Sequence, residues 1–322
     1  MTSDLDFGVA KELSLVEHRI QDAIRSREPI LTDIARYVIE AGGKRIRPMV
    51  TVLANKAVGG RSLERTVQIA AALELIHSAT LLHDDINDDG RLRRGREAAY
   101  KKFGLHNALV TGDFLFVKAY AISGTFDAEI VDLTASVCTS LAEAEISQKR
   151  HAGDVSVTRD QYLDIARRKT AMPFGAGAKI GALLGGGTSE EVEALATYGL
   201  NLGIAFQIVD DILDVVGDPA VLGKPVGTDL REGNMTLLVL HALNDGSDRR
   251  ALLTEILRRR RKTEALIGQG LALIRDSGAV ERARVDAEHY GFRARDALDP
   301  VRPGPYRDAL ARLVEFVVQR NA

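Results

Sequence analysis

Leu81-Leu82-His83-Asp84-Asp85-Ile86-Asn87-Asp88 decides how this chain is read, because it sets three carboxylates into what is otherwise a buried, helix-forming run. Asp84 and Asp88 are four residues apart and Asp85 and Asp88 three apart, so on a helix all three share roughly one face. Left bare, such carboxylates repel one another or take up protons. The same spacing returns in Phe206-Gln207-Ile208-Val209-Asp210-Asp211-Ile212-Leu213-Asp214, again in an apolar helical frame. Two matching triads point to one shared cation site. Oxygen ligands without cysteine or paired histidine favour Mg²⁺, which keeps several waters and is held by a few carboxylates plus substrate phosphates. A diphosphate substrate is implied. One D-D-x-x-D alone is as readily a solvated acidic helix face, but two of them beside basic motifs are not.

The basic motifs lie close by. Gly42-Gly43-Lys44-Arg45-Ile46-Arg47-Pro48 reads as a helix stop, a short basic loop and a proline at the first position of the next helix. Lys44 and Arg47 then sit at a helix N-terminus, which suits phosphate. Arg91-Leu92-Arg93-Arg94-Gly95-Arg96 follows the first triad almost at once. Such clusters are most often solvated, but beside two triads they read as diphosphate clamps. The Gly/Pro-rich stretch Gly217 to Gly233, carrying Lys224 directly after the second triad, reads as a lid rather than a slack linker. Lys169-Thr170 also suits phosphate.

Other motifs fall away. Glu74-Leu75-Ile76-His77 matches half of a helical di-iron site, but no second copy occurs. His77, seven residues before Asp84, leans towards a substrate contact, and His83 towards a structural one. Neither G-x-S-x-G nor G-x-x-x-x-G-K-[ST] is present, and Cys138 lies in an apolar helical run. Metal-assisted departure of a diphosphate is the chemistry that remains.

The 322 residues are 45% hydrophobic with a mean hydropathy of −0.06, enough apolar material for a large core. A net charge of −2, no tryptophan and 5% aromatics argue against a nucleic-acid surface. With Cys138 the only cysteine, no intramolecular disulfide or cysteine-based zinc site can form, which fits the cytoplasm. No signal peptide and no transmembrane run is expected. Apolar residues recur at helical spacing throughout, and alternating strands bounded by hairpin turns are absent. The pattern predicts an all-α chain with helices over 9–26, 29–41, 48–58, 62–88, 106–123, 126–150, 158–183, 188–216, 235–244, 247–259, 261–277, 279–297 and 303–320. Its glycine and proline punctuation separates helices, not domains, so residues 1–322 are expected to form a single helical domain.

In order, the motifs resemble the trans-prenyltransferases, or all-trans polyprenyl diphosphate synthases. The resemblance runs from Gly42-Gly43-Lys44-Arg45-Ile46-Arg47-Pro48 through Thr111-Gly112-Asp113-Phe114-Leu115 and Lys169-Thr170 to the second triad and its loop. It implies a bundle of long helices around a deep central cavity, a homodimer, a peripheral membrane contact for product release, and three Mg²⁺ ions bridging both triads and an allylic diphosphate. By resemblance, Asp84, Asp85, Asp88, Asp210, Asp211 and Asp214 hold Mg²⁺ directly or through water. Arg93, Lys169 and Lys224 hold the allylic diphosphate, with Gln148, Thr170 and Gln207 nearby. Lys44, Arg47, His77 and Arg94 hold isopentenyl diphosphate. The implied reaction ionises the allylic C–O bond, adds the isopentenyl double bond to the cation and loses a proton. Phosphate-binding side chains without a protein nucleophile agree with this.

Two positions depart from the family pattern: Asn234 stands where most members have lysine, and Leu238 where they have proline. A class I terpene cyclase shares the first triad but has a different second metal motif, and a non-catalytic regulatory subunit would not need both triads. Product length by resemblance is set beneath the first triad. Ala79, five residues before Asp84, with Thr80 and Ile76 around it, stands where short-chain synthases place phenylalanine or tyrosine. A long product is expected, with a geranylgeranyl or farnesyl diphosphate synthase as the alternative.

Overall fold

The computed structural model describes residues 7–223, 225–244 and 248–320. It begins with α1 (Ala10–Ala23), α2 (Pro29–Ile39), α3 (Ile46–Ala57) and α4 (Glu64–Asn87). A two-residue hairpin, β1 (Leu92–Arg93) and β2 (Arg96–Glu97), leads to α5 (Ala99–Phe103), α6 (Leu105–Ser123) and α7 (Ala128–Arg150). Then come α8 (Arg159–Ala166), a π turn (Arg167–Ala171), α9 (Met172–Leu184) and α10 (Ser189–Val216). The remainder is α11 (Pro219–Leu222), α12 (Thr228–Glu232), α13 (Leu237–Leu243), α14 (Asp248–Arg258), α15 (Glu264–Asp276), α16 (Ala279–Asp296) and α17 (Pro305–Val318). The expected all-α class holds.

Four local differences have physical reasons. Arg94 (φ 53°) and Gly95 (φ 74°) form a two-residue turn with both φ positive, which matches strand twist and closes the hairpin where a loop is expected. The predicted helix over 158–183 is instead α8, the π turn and α9, because one turn widens. The supposed lid holds two short helices, α11 capped by the Asp218 side chain on the Ala220 N–H. Finally, α3 starts at Ile46, so Pro48 is its third residue, still inside the first turn where no N–H has an intrahelical partner.

Chain contacts divide the described residues into two compact units. One comprises those up to 138 with 173–199 and 295–313, the other 139–172, those of 200–294, and 314–320.

In the first unit α4 is buried on nearly every face, from Thr66 and Val67 through Leu75, Ile76 and Ala79 to Leu82 and Asp85, and packs on α1, α3 and most extensively α6. A helix enclosed this way is apolar on most of its surface, and the polar groups it buries before the triad need partners, as Glu74 has in Arg45 and Ser78 in the Glu74 carbonyl. Glycine brings α9 against α3: a Cβ at Gly181 would lie 2.2 Å from the Thr51 carbonyl oxygen, and one at Gly177 2.6 Å from Thr51 Oγ1. Gly181→Ala therefore overpacks a backbone-to-backbone contact and should cost roughly 1–3 kcal/mol. A urea midpoint lowered at unchanged slope checks this; an unchanged midpoint would mean that the two helices separate freely.

The second unit packs Tyr162, Ile208, Ile212, Leu230, Leu238 and Ile256 into one cluster around the C-terminal half of α10. No helix among the described residues is long and apolar enough to cross a membrane.

Candidate active site

In the first unit the triad occupies the last turn of α4, with Asp88 as its C-cap. Helix C-termini carry partial negative charge, so the carboxylates add to an already negative end. Asp85 is 5% exposed, and its Oδ1 accepts from Arg93 Nε at 2.8 Å and from Nη2. Burial pushes the Asp85 carboxyl up, against the pull of Arg93. The hairpin thus folds Arg93 back onto the triad that precedes it. His83 turns instead to α6, its Nε2 3.2 Å from the Leu109 carbonyl oxygen.

Upstream on α4 the basic groups gather. Arg45, the left-handed N-cap of α3 (φ 49°), donates to Glu74 Oε1 at 2.8 Å, to the Ile39 carbonyl at 2.9 Å and to Glu17. Glu74 is 4% exposed, so it is the buried counter-ion that fixes the Gly42–Pro48 loop, not half of a metal site. Gly43 takes φ 144°, where a side chain would be strained, and a Cβ there would also press on the Arg94 guanidinium at 3.0 Å. Arg47 stacks over the Phe174 ring, 4.8 Å from its centroid. His77 feels burial first and then Arg47, Arg94, Arg93 and Arg45, which together hold its imidazole well below the usual pKa. His77 is therefore a neutral hydrogen-bonding group among guanidiniums.

That shift has a sign. Above pH 6.5 folded and unfolded chains both carry neutral His77; below it the unfolded chain takes up a proton that the folded chain refuses. Stability is thus complete above pH 6.5 and is lost as pH falls below it, by at most about 1.4 kcal/mol per pH unit for one group. Urea midpoints between pH 7.5 and 5 should fall less steeply for His77→Gln than for the wild type. Parallel pH dependences would remove His77 as the cause.

In the second unit, α10 carries the second triad. Asp211, 4% exposed, accepts from Tyr162 OH at 2.6 Å and from Gln207 Nε2 at 2.7 Å. Gln207 in turn accepts from the Thr170 hydroxyl. Burial and then the nearby Asp229 push the Asp211 carboxyl well up, against those hydrogen bonds. Asp214, 3% exposed, fastens the following loop: its carbonyl accepts from Gly227 N–H at 2.8 Å and its Oδ2 from Asp229 N–H at 2.9 Å. Asp210 pairs with Arg320. The π turn presents Lys169 to Glu145 Oε2 at 2.6 Å and Gln148 Oε1 at 2.8 Å.

Asn234, in the position of the family's lysine, donates through Nδ2 to Asp229 Oδ1 and Glu232 Oε2, both at 3.0 Å. A neutral amide thus bridges two carboxylates, and Lys149 lies 3.9 Å from Glu232 to supply charge. Lys224 lies outside the described residues. Ala79 is fully buried and Ile76 nearly so, while the Thr80 hydroxyl donates to the His77 carbonyl at 2.8 Å.

Within the first unit the structure brings Asp85 to Arg93 and surrounds His77 with Arg47 and Arg94. Within the second it links Thr170, Gln207 and Asp211, and joins Lys169 to Gln148. Sequence reasoning passed over Glu145, Tyr162 and Arg320, and it set Glu74 aside. Glu145 had a signal, one helical turn before Gln148; Tyr162 and Arg320 had none.

The carboxylates fit a hard cation. All six offer oxygen, and a cation would favour the ionised form of Asp85 and Asp211, which burial disfavours. Among the described residues no three His, Cys, Asp or Glu side chains form a ready-made metal cage.

Residues 28–274 match the family model for Polyprenyl synthetase. The chain belongs to this family. The short chain isoprenyl diphosphate synthase of Methanothermobacter thermautotrophicus is 37% identical over 97% of each chain. The octaprenyl diphosphate synthase of Escherichia coli is 35% identical over 97% of each. The polyprenyl synthase of Caulobacter crescentus, crystallised with calcium and isoprenyl diphosphate, is 37% identical and superposes with a TM-score of 0.94, covering 98% of this chain and 96% of that one. This polyprenyl synthetase is accordingly a prenyltransferase with the all-α isoprenoid synthase fold, and Mg²⁺ dependence is typical of its family.

Proposed function

We propose that the enzyme is an all-trans polyprenyl diphosphate synthase that adds isopentenyl diphosphate repeatedly to an allylic diphosphate and makes a long-chain product. The observation that carries this is the pair of carboxylate triads, each held by its own partners: Asp85 by Arg93, and Asp211 by Tyr162 and Gln207. Mg²⁺, three ions by family resemblance, would be held by Asp84, Asp85, Asp88, Asp210, Asp211 and Asp214, and supplies the positive charge that lets the diphosphate leave.

The chain's own residues do the rest. Arg93, Lys169 and Lys224 grip the allylic diphosphate, helped by Gln148, Thr170 and Gln207, so that charge developing on the leaving group is met as the C–O bond breaks. Lys44, Arg47 and Arg94 hold the isopentenyl diphosphate, with neutral His77 as a hydrogen-bonding partner. The double bond attacks the allylic cation, and the proton then lost passes to the released diphosphate. Tyr162 and Gln207 fix Asp211, and Glu145 fixes Lys169, so these act through the groups they position.

Residues 1–322 act as one catalytic domain in this reading, enclosing a deep cavity for the growing chain. The enzyme works in the cytoplasm, with membrane contact at product release. A homodimer is supported by the exposed apolar residues Leu105, Leu109, Val117 and Tyr120 along α6. The relative with the short-chain name favours a second reading, in which elongation stops early. Pure protein incubated with Mg²⁺, labelled isopentenyl diphosphate and each allylic starter, followed by product sizing, separates the readings. No elongation of any starter would refute both.

A further inference from the structure

The C-terminal segment supplies a cation that no motif marks. Beyond α17 the chain reaches Arg320, whose side chain is only 8% exposed. Its Nη2 donates to Asp210 Oδ1, and its guanidinium carbon lies 4.5 Å from the centroid of the Phe206 ring. Phe206 is one helical turn before Asp210, so ring and carboxylate share a face of α10 and a single planar guanidinium spans both. Asp210 is also the most open acid of its triad: its side chain is 44% exposed, whereas Asp211 and Asp214 are buried. It is thus the carboxylate of the second triad that an incoming cation can reach most directly.

We infer that Arg320 is a positioning residue for the reaction: a built-in counter-ion that holds Asp210 before a divalent cation binds and yields the carboxylate when one does. The inference rests on Asp210 being a metal ligand. Asp210, Asp211 and Asp214 crowd one helix end, and a guanidinium on the outermost of them offsets part of that repulsion. A divalent ion on the same carboxylate would be repelled by the guanidinium, so the two cations compete for it. The stacking on Phe206 keeps the guanidinium at hand, ready to return once metal and diphosphate leave.

Competition has a readout that needs no turnover. Mn²⁺ titrations without diphosphate, followed by the electron paramagnetic resonance signal of free ion, should show Arg320→Gln binding Mn²⁺ about ten-fold tighter than wild type, the effect of one charge-assisted hydrogen bond on an equilibrium. Arg320→Lys, which keeps the charge without the planar fork, should fall between the two. Adding Asp210→Asn to Arg320→Gln should abolish the gain. Equal or weaker Mn²⁺ binding by Arg320→Gln overturns the inference, as does a gain that survives Asp210→Asn. Asp210→Asn with undiminished condensation would instead remove Asp210 as a metal ligand, and the competition with it.

Discussion

Asp84→Ala should lower kcat about a thousand-fold or more while leaving the fold intact, the size of effect seen when a main stabiliser of transition-state charge is lost. The residue lies in the last turn of α4, where the helix end is already negative, and alanine there offers no oxygen to a hard cation. Departure of a diphosphate leaves its charge on the leaving group, so a lost metal ligand is felt in the chemical step more than in ground-state binding. Steady-state assays with varied Mg²⁺ should show the fall in kcat persisting at saturating metal, and excess chelator should stop the wild type. Undiminished condensation in chelator would end the metal-dependent reading.

The second large effect concerns product size. Ala79→Phe should shift the wild-type long chain, on the order of six to ten isoprene units by family resemblance, towards about 15 or 20 carbons, since a ring fills space that a growing chain needs. Ala79 lies between the turn that carries Asp84 and the one that carries Leu75 and Ile76, so a side chain there lies below the triad by little more than one helical turn. It is fully buried, so the ring also presses on its neighbours and should lower stability by roughly 1–3 kcal/mol. The first condensation should survive. Labelled products separated by length give the answer; a wild type that stops at 20 carbons or fewer, or an unchanged distribution in the variant, would move control of length to another residue.

The helical placement of these two positions could be read from the sequence because periodicity survives in a linear string, while the chain-length role of Ala79 comes from the family resemblance. The same holds for α10 and for the basic loop before α3. What could not be read depends on partners far along the chain. Tyr162 and Asp211 are separated by 49 residues, Arg45 and Glu74 by 29, and Arg320 and Asp210 by 110. Glu74 was visible but paired in sequence with His77 rather than in space with Arg45. The hairpin at Arg94-Gly95 was hidden because its turn uses arginine where asparagine or aspartate would have signalled positive φ. The π turn was hidden for a different reason: Arg167–Ala171 has the composition of ordinary helix.

That π turn also works as a phase shifter. An α-helix advances about 100° per residue, so one residue absorbed into a wide turn rotates everything after it relative to everything before. Tyr162, before the turn, is set to meet Asp211, while Lys169 and Thr170, inside it, are set to meet Glu145, Gln148 and Gln207. Deleting a single residue from 167–171 would turn the segment into regular helix and force one angle on both sets. Either the lysine would swing off Glu145 and Gln148, or Tyr162 would swing off Asp211. A single-residue deletion there is therefore expected to disable the protein more thoroughly than any substitution among the same five positions.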